Sequence, residues 1–261
     1  MRVRFAKVQG LGNDFLIVEE GRVDSAQARR LCARTRGVGA DGVITVLPPR
    51  AGGTCYMHLF NSDGSEAEIS GNGMRCLARH LADTRALSGE MLVESAAGPK
   101  RCTVHRAPSG AVEAISVEMG PARWEGEQEF TVGGERLRAA RVSMGNPHAV
   151  FFGEASLERA RRLGPVIEKA VPGGVNAGFA AVRGGAVDLW VWERGDGLTE
   201  ACGSGACAAV AAAVKGGVLP ADRAVEVRLP GGALTVAVGA DLVRVTMRGP
   251  AEPVFRGEAE L

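Results

Sequence analysis

The chain carries one short pattern twice, at positions separated by about half its length. The segment Asp63–Gly73 (DGSEAEISGNG) and the segment Asp196–Gly205 (DGLTEACGSG) both read Asp-Gly, polar residues with a Glu, Ser or Cys, and then Gly-x-Gly. Ser70 and Cys202 hold the same place in the two copies, 132 residues apart. A pattern repeated at this spacing predicts two halves of one architecture.

Three more matches occur in the same order at nearly the same offset. They pair Gly12-Asn13 with Gly145-Asn146, Asn61 at the end of YMHLFN with Glu193 at the end of VDLWVWE, and GADGVITV (39–46) with VNAGFAAV (175–182). The chain has 261 residues, 46% of them hydrophobic, which suits two domains of about 130 residues each. We place the halves at residues 1–115 and 116–249.

Each half contains short runs rich in β-branched and aromatic residues, broken by Gly, Pro, Asn and Asp, which predict strands. The predicted strands are Val3–Val8, Phe15–Val18, Val43–Leu47, Tyr56–Phe60, Ala149–Phe152, Phe179–Val182, Ala186–Trp192 and Val225–Leu229.

A helix is expected directly after each Gly-x-Gly, over Gly73–Leu81 and Ala206–Val214, and a surface helix over Gln27–Arg34, capped by Asp24 or Ser25. Because Ala206–Val214 is apolar all round, it must be buried on every side. The predicted fold class is therefore α/β (α+β), with two pseudo-symmetric halves, each a β-sheet wrapped around a central helix.

The two helix starts suggest the chemistry. Unpaired N–H groups and glycines at a helix N-terminus form a cradle for a carboxylate or a phosphate. A Cys at such a position is expected to have a lowered pKa, which makes Cys202 a candidate base or nucleophile. Two such motifs suggest that Ser70 and Cys202 face each other over one carboxylate, in a cleft between the halves. That arrangement suits removal of an α-proton from one face and delivery of a proton to the other.

Composition excludes several function classes. Lys and Arg number 31 and Asp and Glu number 30, so a net charge of +1 argues against nucleic acid or an anionic membrane as the main partner. The start of the chain lacks an apolar signal core, which favours the cytoplasm. We therefore expect the six cysteines to be free thiols. The four histidines are scattered, and no metal site is expected.

At these residues the chain resembles the diaminopimelate epimerases, over nearly its whole length. The matching stretches are GLGNDF (10–15), GVGADG (37–42), FNSDGSEAEISGNGMRC (60–76), VSMGNPHAV (142–150), GVNAGF (174–179) and VWERGDGLTEACGSGACA (191–208). The resemblance implies an isomerase of lysine and peptidoglycan precursor synthesis that interconverts LL- and meso-diaminopimelate without a cofactor. It also implies a homodimer, and residues 250–261 packed back on the first half.

The resemblance assigns the family's two catalytic cysteines to Ser70 and Cys202, so the first of them is replaced here. It assigns substrate binding to the following residues: Asn13, Asn61, Gly71, Asn72, Asn146, His148, Asn176, Glu193, Arg194, Gly203 and Ser204. Arg194 could hold the second carboxylate of diaminopimelate bidentately, and Asn side chains could read its ammonium and carboxylate groups. For Asn13 and Asn146, a role in turns is the alternative.

Ser70 leaves three interpretations open, because a serine hydroxyl is rarely deprotonated at neutral pH without an adjacent base. It is an engineered Cys→Ser change, or a natural Ser/Cys pair as in related hydroxyproline epimerases, or a sign of other chemistry on the same fold. A racemase of other specificity and a non-catalytic amino-acid-binding protein are the alternatives in function. A dinucleotide site at GLGNDF is disfavoured, because the last glycine of the fingerprint is missing and a strand follows.

Overall fold

The computed structural model describes residues 2–261. The chain divides into two compact units, the first comprising the residues up to Val117 together with Gly249–Leu261, and the second comprising Glu118–Arg248. The elements in chain order are β1 (Arg2–Gly10), β2 (Asn13–Val18), α1 (Ser25–Cys32), β3 (Gly42–Leu47), β4 (Cys55–Asn61), β5 (Glu66–Ala67), α2 (Gly71–Thr84), β6 (Gly89–Glu94), β7 (Lys100–Arg106), β8 (Val112–Glu118), β9 (Arg123–Val132), β10 (Glu135–Ser143), β11 (Pro147–Phe152), α3 (Leu157–Ala170), β12 (Asn176–Arg183), β13 (Ala186–Glu193), β14 (Gly197–Leu198), α4 (Gly203–Lys215), β15 (Ala224–Leu229), β16 (Gly232–Val238), β17 (Val245–Gly249) and β18 (Glu252–Glu260).

The first unit is built on a mixed sheet. β1 pairs antiparallel with β2 and with β18 from the end of the chain. β2 runs parallel to β3, with α1 as the connection, and β3 is antiparallel to β4. β4 pairs antiparallel with the short β5 and parallel with β6, and α2 lies between β5 and β6 in the chain. β6, β7 and β8 then form an antiparallel meander.

The second unit repeats this topology strand for strand. β10 pairs antiparallel with β9 and β11, and β11 runs parallel to β12 with α3 as the connection. β13 is antiparallel to β12 and β14 and parallel to β15, and α4 lies between β14 and β15 in the chain. β15, β16 and β17 form the closing meander. The predicted mixed α/β fold with two pseudo-symmetric halves is confirmed.

Each unit has one helix packed inside its sheet. In the first unit α2 contacts β1, β2, β7 and β18, and in the second α4 contacts β10 through β13 and β16. The apolar composition of α4 explains its position: every residue from Ala206 to Ala213 is buried. α2 is buried over most of its length but is less apolar, because it includes the fully buried Arg75, whose Nε donates to the carbonyl oxygen of Pro250 at 3.2 Å.

The predicted strands and helices are all present, with shifted ends. α1 begins at Ser25, is capped by Asp24 and ends at Cys32 rather than Arg34. α3 is absent from the sequence-based prediction because Gly164 and Pro165 interrupt its helical pattern. The glycine has a packing reason: a Cβ at Gly164 would lie 2.5 Å from the side chain of Trp192. In residues 2–261 no helix is long and apolar enough to cross a membrane.

Candidate active site

Ser70 caps α2 in the first unit. It has extended backbone angles (φ −131°, ψ 122°), and its Oγ accepts the Gly73 N–H at 3.0 Å. Serine is among the best N-cap residues because its hydroxyl satisfies one N–H group of the first turn. A Cβ at Gly73 would lie 3.2 Å from both Ser70 Cβ and Ile44 Cδ1, so glycine leaves room for the capping side chain.

Cys202 caps α4 in the second unit with nearly the same backbone (φ −118°, ψ 102°). Its Sγ accepts the Gly205 N–H at 3.3 Å, and a Cβ at Gly205 would lie 3.1 Å from that sulfur. Gly205 therefore has the packing role that Gly73 has in the first unit. In both copies of the motif, the second glycine of Gly-x-Gly makes space for the side chain that caps the helix.

The partners of the two capping side chains differ. Cys202 Sγ donates to Glu193 Oε2 at 3.0 Å, and the other oxygen of Glu193 accepts from Thr199 Oγ1 at 2.5 Å. Asn61 occupies the corresponding position at the end of β4, and its Nδ2 donates instead to Ser65 Oγ at 3.0 Å. Among the described residues of its own unit, Ser70 Oγ has no hydrogen-bonded carboxylate or imidazole.

The prediction of a lowered pKa at Cys202 is wrong. Burial raises the pKa of the Cys202 thiol well above its ordinary value, and the negative charge and hydrogen bond of Glu193 raise it further. The Ser204 hydroxyl and the Gly205 N–H act in the opposite direction but are outweighed. Cys202 is only 3% exposed, so solvent does not screen the carboxylate beside it. The resting side chain is therefore a thiol that donates a hydrogen bond to Glu193.

A chain of hydrogen bonds connects Cys202 to a buried histidine. Ser204 Oγ lies 3.7 Å from Cys202 Sγ and accepts from Asn146 Nδ2 at 3.3 Å. Asn146 Oδ1 in turn lies 3.0 Å from His148 Nε2. Burial lowers the pKa of His148 to about 3, helped by the positive charges of Arg194 and Arg141, so the imidazole is neutral. With the Asn146 amide in this orientation, the ring proton is on Nε2, because Oδ1 can only accept.

Arg194 follows β13 and forms one hydrogen bond through its backbone and one through its guanidinium. Its N–H donates to Asn176 Oδ1 at 2.9 Å, and its Nη1 donates to the carbonyl oxygen of Gly173 at 3.2 Å. Glu168 of α3 fixes the same turn by accepting from Gly195 N and Trp192 Nε1, at 2.9 and 2.7 Å. The Arg194 side chain is exposed, which leaves its guanidinium accessible to a carboxylate.

Asn13 lies beside the start of α2 in the first unit. Its Oδ1 accepts from Asn72 Nδ2 at 3.1 Å, and its Nδ2 donates to Asp41 Oδ2 at 2.6 Å. Asp41 also accepts from Arg34 at 2.7 Å and from the Asp14 N–H at 3.0 Å. The Asn13 amide is therefore fixed at both ends.

The predicted site residues form one group around the start of α2 in the first unit and another around the start of α4 in the second. In the first unit Ser70, Gly71, Asn72 and Asn13 lie around the start of α2, whereas Asn61 contacts the β4–β5 turn. In the second unit the hydrogen-bonded group comprises Cys202, Ser204, Asn146, His148 and Glu193. Gly203 begins α4 directly after Cys202, and Asn176 is bonded to Arg194.

Sequence reasoning missed Asp41, Thr199 and Glu168. Asp41 is the acid in GVGADG, and the match of this stretch to the family was the available signal. In residues 2–261 no group of three or more His, Cys, Asp or Glu side chains is arranged to hold a metal ion.

Comparison with known proteins identifies the family. The family model described as diaminopimelate epimerase matches residues 5–125 and 140–254. The chain belongs to the diaminopimelate epimerase family. A diaminopimelate epimerase of Synechococcus sp. is 43% identical, with 98% of each chain covered. One of Alkalilimnicola ehrlichii is 41% identical, with 100% of each chain covered. The resemblance inferred from the motifs is therefore confirmed.

Solved structures share the fold of this family member at low sequence identity. A probable proline racemase of Agrobacterium radiobacter has a TM-score of 0.82 at 17% identity, with 99% of this chain and 93% of that chain covered. A hydroxyproline epimerase of Agrobacterium vitis has a TM-score of 0.81 at 16% identity, with 100% and 93% covered. At these identities the likeness supports the fold alone.

Proposed function

We propose that the protein is an isomerase that interconverts LL- and meso-diaminopimelate by moving an α-proton, with no cofactor. The observation that carries the proposal is the Cys202–Glu193 pair at the start of α4, in a chain that belongs to the diaminopimelate epimerase family. A thiol 3.0 Å from a carboxylate can give up a proton and take one back. The N–H groups of the same helix start can hold the substrate carboxylate whose charge grows as the α-proton leaves.

In this proposal Cys202 works with Glu193. To act as a base, the thiol first passes its proton to the Glu193 carboxylate, and the thiolate then takes the α-proton. The electron pair left on Cα is delocalised into the substrate carboxylate, and a proton arrives from the opposite face. The ammonium group of a bound amino acid would favour the thiolate, which offsets the raised pKa of Cys202. To act as an acid, the resting thiol donates directly.

Ser70 has the opposing role and is the weaker partner. A neutral hydroxyl can donate the returning proton, but removing an α-proton would require an alkoxide. Ser70 lacks a hydrogen-bonded carboxylate of the kind that Cys202 has, within the described part of its unit. We therefore propose that Cys202 performs the efficient half of the reaction and that Ser70 limits net epimerisation.

The remaining predicted residues recognise the substrate in this proposal. The backbones of Gly71, Asn72, Gly203 and Ser204 bind the reacting carboxylate, as helix N-termini bind anions. The exposed Arg194 guanidinium binds the second carboxylate. The other polar groups of the substrate are held by four side-chain amides and one imidazole, those of Asn13, Asn61, Asn146, Asn176 and His148. Lysine and peptidoglycan precursor synthesis, a cytoplasmic location and a homodimer stay predictions of the family resemblance.

The test is to incubate the protein with LL-diaminopimelate in heavy water and to follow the α-protons by NMR. We expect loss of the α-proton signal and slow appearance of the meso isomer, with alanine and proline unchanged. Because Ser70 departs from the family pattern, a racemase of other specificity and a non-catalytic binding protein are the alternatives. Each of them predicts an outcome that would contradict the proposal. Exchange on proline or alanine at a comparable rate indicates a racemase of other specificity. Binding of diaminopimelate in calorimetry without any exchange indicates a binding protein.

A further inference from the structure

Asn13 and Asn146 are equivalent in the repeat, yet they present opposite ends of their amides to the neighbouring helix. Asn146 turns its Nδ2 toward Ser204 at the start of α4, and its Oδ1 lies against His148. Asn13 turns its Oδ1 toward Asn72 at the start of α2, and its Nδ2 lies against Asp41. The Asp41 carboxylate behind Asn13 accepts only and so fixes the orientation of that amide, whereas the neutral imidazole behind Asn146 can pair with either end of its amide.

The Asp41 carboxylate leaves Asn13 one orientation. Its Oδ2 lies 2.6 Å from Asn13 Nδ2 and also accepts the Asp14 N–H at 3.0 Å. Its Oδ1 accepts from the Arg34 guanidinium at 2.7 Å. Both oxygens thus receive hydrogen bonds, and a carboxylate in this arrangement is an acceptor only. A flipped Asn13 would bring its oxygen against this carboxylate and its NH₂ against the NH₂ of Asn72, so both contacts would become repulsive.

We propose that Asp41 is a positioning residue, which sets the orientation of the Asn13 amide and, through Asn13, that of Asn72 at the anion-binding start of α2. Asp41 touches no substrate in this proposal. The inference rests on the proposed function, because Asn13 and Asn72 are there assigned to the substrate. It adds a residue that controls how tightly the first unit binds the amino acid.

The surroundings of Asp41 keep it in place. Its backbone N–H donates to the Asp14 carboxylate at 3.0 Å, and that carboxylate forms an ion pair with Lys7 at 2.7 Å. Asp14 and Lys7 are largely buried, whereas the Arg34 side chain is 60% exposed. Arg34 can therefore move away when its partner changes, while the contact between Asp41 and Asn13 persists.

Because Asp41 contacts both the exposed Arg34 and Asn13, separate variants can remove one of these contacts and keep the other. Asp41→Asn retains an oxygen that can accept from Asn13 Nδ2 and the Asp14 N–H, with its new NH₂ turned toward the exposed Arg34. Asp41→Ala removes the acceptor and frees the Asn13 amide to flip. Arg34→Gln removes the ion pairs with Asp41 and Asp14 but leaves the acceptor for Asn13. Asn13→Ala, alone and combined with Asp41→Ala, completes a double-mutant cycle.

The kinetic readout is the KM for diaminopimelate in the α-proton exchange assay. We expect Asp41→Ala to raise KM about 10-fold with a smaller change in kcat, as for the loss of one or two hydrogen bonds to the substrate. Asp41→Asn and Arg34→Gln should stay within about 3-fold of the parent chain. In the Asn13→Ala background, Asp41→Ala should add no further change. An equal 10-fold effect in that background, or an Asp41→Asn variant as weak as Asp41→Ala, would overturn the proposal.

A second readout does not depend on activity. In ¹⁵N-resolved spectra the Asn13 Nδ2 protons, assigned by their loss in Asn13→Ala, should include one strongly downfield and slowly exchanging proton. That signal should persist in Arg34→Gln and disappear in Asp41→Ala. Its absence from the parent chain would overturn the inference by itself. If the chain fails to exchange diaminopimelate but keeps this signal, the proposed function has failed while the Asp41–Asn13 coupling stands.

Discussion

The starts of α2 and α4 share a backbone and differ in their chemistry. Ser70 and Cys202 cap their helices with similar φ and ψ, and each accepts the N–H of the glycine three residues later. The difference lies at the end of the neighbouring strand. Glu193 contacts Cys202 Sγ at 3.0 Å, whereas its counterpart Asn61 bonds to Ser65. The two units thus share the geometry of these helix starts, while the hydrogen-bond partners of the two capping side chains differ.

This comparison bears on how the Cys202 thiol could transfer a proton in the proposed reaction. The helix start alone does not activate the cysteine, because burial and the Glu193 charge raise the thiol pKa more than the N–H groups lower it. What distinguishes Cys202 from Ser70 is a proton acceptor within hydrogen-bond distance. We therefore expect substitutions in the two units to have unequal effects on proton exchange and on substrate binding.

The largest effect is expected from Cys202→Ala. Without the sulfur, proton exchange should be lost on both stereoisomers, a fall of roughly 10⁴-fold, because neither acid nor base is left on that face. The measurement is deuterium incorporation by NMR. Cys207→Ala, on the same helix and fully buried, is the matched control and should lower stability but preserve exchange. Exchange that survives Cys202→Ala would show that the second unit does not supply the base.

Glu193→Gln should separate thiol acidity from catalysis. Removing the negative charge lowers the Cys202 pKa, so alkylation by iodoacetamide at pH 8 should become faster than in the parent chain. Substrate exchange should nevertheless fall roughly 10²-fold, because the amide cannot accept the thiol proton. Peptide mapping and NMR exchange are the two measurements. A parent chain in which Cys202 is alkylated as fast as an exposed thiol would contradict the raised pKa.

Arg194→Ala tests the recognition of a second carboxylate by the second unit. The side chain is exposed in the unliganded chain, so we expect the low end of the usual range, about 2 kcal/mol or roughly a 30-fold rise in KM. The KM of Arg194→Lys should lie between that of the parent chain and that of Arg194→Ala, since lysine keeps the charge but loses the bidentate fork. The check is KM for diaminopimelate with kcat determined in parallel. An unchanged KM in Arg194→Ala would remove this residue from the binding site.

The last expected effect concerns stability against acid rather than activity. His148 has a folded-state pKa of about 3 against an ordinary 6.5, so the folded chain binds fewer protons there than the unfolded chain. Its stabilising contribution is complete above pH 6.5 and is lost as the pH falls toward 3. His148 should therefore lower the free energy of unfolding in urea by about 1.4 kcal/mol for each pH unit between about pH 6 and its folded-state pKa. His148→Gln should flatten that slope, and an unchanged slope in this variant would contradict the lowered pKa of His148.

The sequence was sufficient for the repeated architecture because the motif and the strand ends recur at a nearly constant offset, and the apolar run Ala206–Val214 indicated that its helix is buried. It was insufficient where an interaction joins distant residues. Glu168 is far from Trp192 and Gly195 in the chain, and the helix that carries it contains Gly164 and Pro165. The sign of the Cys202 pKa shift depended first on the burial of the thiol and then on Glu193, nine residues away, turning its carboxylate toward the sulfur. Spacing alone could not indicate that contact.

The most direct test of the inequality between the units is the ratio of α-proton exchange to net epimerisation, measured by NMR in heavy water for the parent chain and for Ser70→Cys. The account predicts that the parent chain exchanges one stereoisomer much faster than it epimerises it, and exchanges the other poorly. Ser70→Cys should raise epimerisation by roughly 10²–10⁴-fold and bring the ratio toward one. An epimerisation rate that is unchanged or lower in Ser70→Cys would contradict the account, because serine would then be the working partner of Cys202.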